Sequence, residues 1–114
     1  MPTRTKAAAA AHTDAVFSAL ADPNRRALLR AVVERGPITA TQLADGAAIS
    51  RQGVAKHLRS LADAGLVAAT RDGRESRYEA DLLPLQAATS WVLETEGAWA
   101  TRLDRLRRKV QRGR

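Results

Sequence analysis

The chain has no cysteine, and its 114 residues include only two histidines and four aromatic residues of the Phe, Tyr and Trp types. Without a thiol it can form no disulfide, no thiolate nucleophile and no thiolate metal site. The two histidines, His12 and His57, are far apart in sequence, so they indicate no ligand cluster for a soft or borderline metal. We therefore expect no metal and no other cofactor.

Long apolar runs are also missing. No stretch approaches the roughly 20 apolar residues that span a bilayer. Arg4 and Lys6 precede a run of alanines, but no apolar core leads to a cleavage site, so we expect no signal peptide. The expectation is a cytoplasmic protein without a membrane partner.

Acidic residues are in the minority. The chain has 19 Lys and Arg against 12 Asp and Glu, giving a formal net charge of +7 and a sequence pI of about 11.2. This balance favours an anionic partner, either nucleic acid or an acidic membrane surface. The length fits one domain with a modest core, and small chains of this kind often complete their core by pairing.

The residues for catalysis are missing as well. No nucleophile has a positioned base, and there is no phosphate loop. Ser50 and His57 lie two helical turns apart, which is too far for a hydrogen bond. We expect a binding protein and not an enzyme.

The most informative stretch runs from Ser50 to Leu61. Ser50 is a good helix N-cap, and Gly65 is a good helix stop. Three residues between them form an apolar stripe at positions i, i+4 and i+7, namely Val54, Leu58 and Leu61. At 100° per residue the opposite face carries Gln52, Lys56 and Arg59, with Arg51 and His57 on its flanks. Such a face suits base edges in a major groove, although an ordinary solvated surface has the same composition.

A second short helix precedes this stretch. Thr39 to Gln42 fits a capping box, in which the Thr and Gln side chains satisfy each other's backbone N–H groups. A helix over about residues 40–45, a turn over 46–49 and the helix from about 50 to 64 make a helix-turn-helix pattern.

A basic hairpin follows. Residues 66–70 and 76–80 have strand character, and Asp72-Gly73 between them is a strong hairpin-turn signal. Three arginines lie on or beside the loop: Arg71, Arg74 and Arg77. We expect the hairpin, over about residues 67–80, to form a wing that lies along the DNA backbone or in the minor groove. The alternative is a surface hairpin whose arginines pair with its own acidic residues, Asp72, Glu75 and Glu79.

The rest of the chain is expected to be helical. Helices are predicted over about 13–21, 23–34 and 83–110, with a flexible arm over 1–11, a single domain over 12–110 and a basic tail over 111–114. The last helix has apolar residues seven apart, which form a stripe along one side. We expect this stripe to pack against the first helix and against a second copy of the chain. The predicted dimer contacts are Phe17, Leu20, Trp91, Val92, Trp99, Leu103 and Leu106. A small-molecule pocket lined by Trp91 and Trp99 is the alternative use of the tryptophans.

Together these elements predict a mostly α fold with a small β-hairpin wing. From Val16 to Tyr78 the chain closely resembles the ArsR/SmtB family of winged-helix bacterial repressors. The resemblance is carried by five phrases in order: 21–29 (ADPNRRALL), 41–44 (TQLA), 50–58 (SRQGVAKHL), 61–67 (LADAGLV) and 71–78 (RDGRESRY).

The resemblance implies a homodimer, paired through its first and last helices, that binds an inverted-repeat operator in double-stranded DNA and blocks transcription. It also implies that the DNA-facing residues include Ser50, Gln52, Lys56 and His57, with the three arginines on the wing. Metal-sensing members carry cysteines on the third helix, where this chain has Thr41, Gln42 and Ala44. Others carry ligands on the last helix, which here has no histidine. We therefore expect a metal-independent member.

Three alternatives remain from the sequence: a sequence-indifferent architectural DNA-binding protein, a winged-helix activator of another family, and a module that uses the fold for protein contacts. The sequence identifies no effector.

Overall fold

A computed structural model describes residues 6–113 of the chain, and the side chains of residues 12–113. The order of elements is α1 (Lys6–Leu20), α2 (Pro23–Arg35), β1 (Ile38–Thr39), α3 (Ala40–Asp45), α4 (Arg51–Asp63), β2 (Val67–Asp72), β3 (Glu75–Ala80) and α5 (Leu83–Arg112). This order confirms the predicted fold class, a mostly helical winged helix-turn-helix.

Helix α1 begins at Lys6, seven residues before the predicted start at Thr13. The alanine tract supplies the extra turns, because alanine is the strongest helix former. The expected flexible arm is therefore helical from residue 6 onward, and its residues 1–5 lie outside the described part of the chain. At the other end, α5 continues to Arg112, so two residues of the expected basic tail are helical.

The junction of α1 and α2 is held by polar contacts. As predicted, Asp22 caps α2, accepting hydrogen bonds from the backbone N–H groups of Asn24 at 2.7 Å and Arg25 at 3.2 Å. The Arg25 side chain donates back to the carbonyl oxygens of Ala19 at 2.7 Å and Ser18 at 3.0 Å. These bonds satisfy the end of α1 and fix its angle to α2.

The two helices of the helix-turn-helix are capped as the sequence predicts. The Thr39 hydroxyl accepts from the Gln42 N–H at 3.1 Å, and the Gln42 side chain accepts from the Thr39 N–H at 3.0 Å. Ser50 Oγ accepts from the Gly53 N–H at 3.1 Å at the start of α4. At its end, Gly65 adopts a φ of +78°, and the Leu66 N–H donates to the Leu61 carbonyl at 2.9 Å, which is a Schellman ending.

The three strands form an antiparallel sheet in the order β1-β3-β2, which confirms the hairpin. Asp72 pairs with Glu75, so the two central turn residues are Gly73 and Arg74. Gly73 has a φ of +63°, whereas Arg74 has a negative φ, as in a type II′ turn. The turn therefore begins one residue later than the Asp-Gly pair suggests.

The core lies beneath the helix-turn-helix. Val16, Val54, Leu58, Leu61 and Leu66 are fully buried. Helix α5 contributes only buried Ala88 and half-buried Leu85 to this core. Its 30 residues extend about 45 Å, and the described chain measures 72 × 41 × 19 Å. Most of α5 therefore projects beyond the core with its apolar side chains exposed.

Candidate nucleic-acid interface

The outward surface of α4 is polar and basic. Its exposed members are Ser50 at the cap, Arg51, Gln52, Lys56 and Arg59, which we call the α4 outer face. The opposite side of the helix is fully buried through Val54, Leu58 and Leu61. The buried stripe thus fixes the rotation of α4 and holds the outer face toward solvent.

His57 lies apart from the α4 outer face. It is half-buried, and its Nδ1 atom is buried without a hydrogen-bond partner among the described residues. Its charge acts on Asp22, the cap of α2. The prediction that His57 contacts DNA stays a prediction, because its Nδ1 atom is buried while the residue as a whole is half-exposed. Position 57 is only about 70° from the centre of the buried stripe, which accounts for its partial burial.

The pKa of Asp22 reflects this setting. Desolvation raises it, but hydrogen bonds from the backbone N–H groups of Arg25 and Asn24, together with the charges of His57 and Arg25, lower it by more. The net pKa of the carboxyl lies below its usual value of 3.8. Asp22 is thus held ionised at the point where α2 meets α4.

The three wing arginines have different surroundings. Arg71 Nε donates to the Gly73 carbonyl at 3.2 Å, and Arg77 Nε lies 3.2 Å from Asp72 Oδ2. Arg77 also lies 4.0 Å from Glu75. Arg74, at the exposed turn, has no hydrogen bond or ion pair within residues 12–113. The alternative of internally paired arginines thus describes Arg77, whereas Arg74 is available to an outside anion.

The predicted dimer residues fall into two groups. Val92, Trp99, Leu103 and Leu106 are exposed on one side of α5, and we call this side, with Val110, the α5 seam. Phe17 and Trp91 instead contact each other where α1 crosses α5, and both remain partly exposed.

Leu20 is half-buried against the chain's own core and lines an open groove with residues of α2 and the start of α5, so its role in a dimer contact stays a prediction.

An open groove of about 530 Å³ lies where α1 crosses α5. Its lining residues are Thr13, Asp14, Phe17, Ala87, Ser90, Trp91 and Glu94. Of the two tryptophans of the alternative pocket, Trp91 lines this groove and Trp99 does not. Asp14 and Glu94 were missed, because the pairing of distant residues on two helices leaves no periodic signal in the sequence.

Across residues 6–113, no group of three or more His, Asp or Glu side chains is close enough together to hold a metal ion. Within the same residues, none of the helices has the length and apolar character needed to cross a membrane.

Comparison with known proteins identifies relatives of this arrangement. Residues 20–69 match a helix-turn-helix domain family. A probable mercury resistance operon repressor of Streptomyces lividans is 45% identical over 62 residues, which cover 54% of this chain and 49% of that protein. The transcriptional repressor SdpR of Bacillus subtilis is 32% identical over 78 residues, covering 68% of this chain and 86% of SdpR.

Solved structures have the same fold. An ArsR-like transcriptional regulator from Rhodococcus sp. RHA1 superposes with a TM-score of 0.75 and 34% identity, over 86% of this chain and 92% of that one. The homodimeric winged helix-turn-helix DNA-binding domain of Mb0332 from Mycobacterium bovis gives a TM-score of 0.65 over 84% of this chain and 92% of that one. At 23% identity, this second likeness concerns the fold alone.

The chain spans about half the length of the mercury resistance repressor but most of SdpR and of the Rhodococcus regulator. The chain is more than 30% identical to SdpR and to the Rhodococcus regulator over most of their length, and it has the same winged helix-turn-helix geometry. It therefore belongs to the ArsR family of DNA-binding transcriptional regulators, which are not enzymes.

Proposed function

We propose that this chain is a homodimeric repressor that binds an inverted-repeat operator through the α4 outer face and the wing, and does so without a metal. The observation that carries the proposal is the division of α4 into a fully buried apolar stripe and an exposed face of Gln52, Lys56 and Arg59. Amide, ammonium and guanidinium groups are the donors that read base edges in a major groove.

The dimensions and caps of α4 support this use. An α-helix with its side chains is about 10–12 Å across, which fits a major groove about 12 Å wide, and the 13 residues of α4 extend about 20 Å along it. Arg51, at the first helical position, stands where the helix dipole disfavours a cation. A phosphate or base acceptor beside it would offset that cost.

The wing supports a contact of another kind. Arg74 projects from the hairpin turn without an internal partner among the described residues, and its neighbours Arg71 and Arg77 are exposed or half-buried along the strands. A cation at a turn tip contacts phosphates and fixes the register of the protein on the duplex without reading sequence.

The homodimer is supported by the α5 seam. Val92, Trp99, Leu103, Leu106 and Val110 are all more than a third exposed along one side of a helix that projects from the core. Contiguous apolar surface of this kind marks a protein interface. A two-fold pair built on α5 presents two α4 outer faces, which matches the symmetry of an inverted repeat.

The charge along α5 favours an antiparallel arrangement. Beside the seam, residues 83–97 contribute Glu96 and no cation, whereas residues 98–112 contribute Arg102 and Arg107 and no acid. A parallel pair would set the two basic halves side by side, and an antiparallel pair sets basic halves beside acidic ones. Opposite charges flanking an apolar seam set orientation in paired helices.

Metal independence rests on the donor set. The chain has no cysteine, and the α3 positions that carry cysteines in metal-sensing relatives are Thr41, Gln42 and Ala44. His12 packs near Gly65 and Pro84, whereas His57 lies beside Asp22. A borderline or soft metal requires several nitrogen or sulfur donors at one point, which these two separated imidazoles do not offer.

The test is a titration of the full chain against the DNA upstream of its own gene and against scrambled DNA of equal length, over a series of salt concentrations. We expect a preference for the specific site of about 10³-fold or more and a protected region with two-fold symmetry. Equal affinity for both DNAs would overturn the operator assignment in favour of a sequence-indifferent protein. Loss of operator affinity on addition of Zn²⁺, Cd²⁺ or Hg²⁺ would overturn the metal-independent part alone.

A further inference from the structure

The groove between α1 and α5 has two aromatic rings at its centre. Phe17 and Trp91 meet edge to face, and their side chains are 37% and 54% exposed. Two aromatic rings in contact provide a rigid apolar wall at little cost in conformational entropy. A volume of about 530 Å³ is within the range of small-molecule sites.

The rim of the groove is acidic. Asp14 on α1 and Glu94 on α5 are among its lining residues, and within residues 12–113 no lining residue is a cation. Neither carboxylate takes part in an ion pair or hydrogen bond with the side chains of residues 12–113. The chain has a net charge of +7, so two carboxylates that have no basic partner among the described side chains make this apolar wall locally acidic.

The groove does not coincide with the α5 seam. At 100° per residue, Val92, Trp99, Leu103 and Leu106 fall within an arc of about 60°. The groove residues of α5, which are Ala87, Ser90, Trp91 and Glu94, lie about 90–170° from the middle of that arc. A second copy that packed on the seam alone would leave this side of α5 open.

We propose that the α1–α5 groove is a binding site for a small organic cation that carries an aromatic or bulky apolar group. The cationic head lies between the Asp14 and Glu94 carboxylates and against the face of the Trp91 indole, where the ring quadrupole attracts positive charge. The apolar group packs on Phe17 and Ala87. Anions are repelled by the rim, and a neutral ligand of the same shape gains only the apolar contact. The proposal concerns a different surface from the operator site and does not depend on it.

The probe is benzyltrimethylammonium, with benzyl alcohol as the neutral control and benzenesulfonate as the anionic one. The protein is the full chain carrying Trp99→Phe, which leaves Trp91 as the single tryptophan, so its fluorescence reports on the groove. We expect saturable quenching by the cation with a Kd of about 1 mM, and at least fivefold weaker binding of both controls.

Two variants assign the interaction. Asp14→Asn with Glu94→Gln in the same background removes both charges at exposed positions and should weaken binding by about tenfold. Trp91→Leu, followed by calorimetry, should abolish detectable binding, whereas Trp99→Phe alone should bind as the unaltered chain does. Circular dichroism verifies that each variant keeps its helices.

Three results would overturn the proposal. Equal binding of benzyl alcohol and the cation would indicate an apolar crevice only, and unchanged affinity in the Asp14 and Glu94 double variant would show that the carboxylates do not bind the cation. Trp91 emission that neither the cation nor acrylamide quenches would indicate that a second copy of the chain covers the groove. The operator titration is unaffected by any of them, so failure here and failure of the proposed function are distinguishable.

Discussion

The ring of Phe17 on α1 meets the ring of Trp91 on α5 edge to face, with centroids 5.6 Å apart and planes inclined at 76°. Since α5 contributes little else to the core, this pair helps to hold the projecting helix to the domain. We predict a coupling of about 0.5–1.5 kcal/mol between Phe17→Leu and Trp91→Leu in a double-mutant cycle measured by urea unfolding. The matched control pairs Phe17→Leu with Trp99→Leu, which should be additive because these rings do not touch. A coupling of zero for the Trp91 cycle would contradict the contact.

Asp22 gives the stability of the domain a pH dependence. The pKa of the Asp22 carboxyl in the folded state lies below 3.8, so the unfolded chain binds a proton at this carboxyl more readily than the folded chain does. The ionised carboxylate therefore stabilises the fold fully above pH 3.8, and this stabilisation is lost as the pH falls through the folded-state pKa. We predict that the thermal midpoint of the unaltered chain falls more steeply below pH 4 than that of Asp22→Asn, whose amide oxygen still caps α2. Asp22→Ala should have a lower midpoint at every pH. Parallel pH curves for the unaltered chain and Asp22→Asn would show that this carboxylate does not contribute.

Lys56 on the α4 outer face should contribute to affinity and to site preference. We predict that Lys56→Ala weakens operator binding by about tenfold and reduces the preference over scrambled DNA, because base-edge contacts carry discrimination. Fluorescence anisotropy at fixed salt measures both quantities. Arg108→Ala is the matched control, since Arg108 is paired with Asp104 far along α5. A loss as large in the Arg108 variant would point to general charge and not to the outer face.

Arg74 should behave differently from Lys56. We predict that Arg74→Ala weakens binding to operator and scrambled DNA by the same factor and reduces the slope of log K against log salt by about 1, as loss of one phosphate contact requires. Arg77→Ala should have a smaller effect, because Arg77 already pairs with Asp72 at 3.2 Å. An Arg74 variant that loses site preference while keeping its salt slope would place this residue at a base edge.

The sequence predicted the elements that local chemistry specifies. Asp22-Pro23, the Thr39–Gln42 box, and the Ser50 and Gly65 caps each satisfy backbone groups within a few residues, so their signals are readable in order along the chain. The predicted start of α1 was wrong because the alanine tract before Thr13 continues the helix without a periodic apolar pattern.

Features that depend on contacts between distant elements were beyond the sequence. The α4 outer face followed from the apolar stripe, but the partial burial of flanking His57 depends on how neighbouring elements pack against α4. Likewise, the spacing of Trp91 and Trp99 placed both on the last helix. Their different surroundings, with Trp91 in the groove and Trp99 on the seam, depend on where α1 crosses α5. The ion pair of Arg77 depended on the register of the hairpin, which brings Asp72 opposite Glu75.

Leu103 lies within the α5 seam and is 38% exposed in the single chain. We predict that Leu103→Glu weakens the dimer by at least about a hundredfold, because an unpaired carboxylate would be buried against the apolar partner surface. Sedimentation equilibrium at micromolar concentration should then give the monomer mass, while circular dichroism shows an intact fold, since this part of α5 projects from the core. Leu83→Glu is the matched control: this leucine is 68% exposed at the start of α5 on the side away from the seam, and its replacement should leave the dimer mass unchanged.

On the operator, the Leu103 variant should protect half-sites without cooperativity, because each α4 then binds alone. A Leu103→Glu protein that sediments as a dimer would place the two-fold contact elsewhere than on the seam, and the antiparallel charge argument would fall with it.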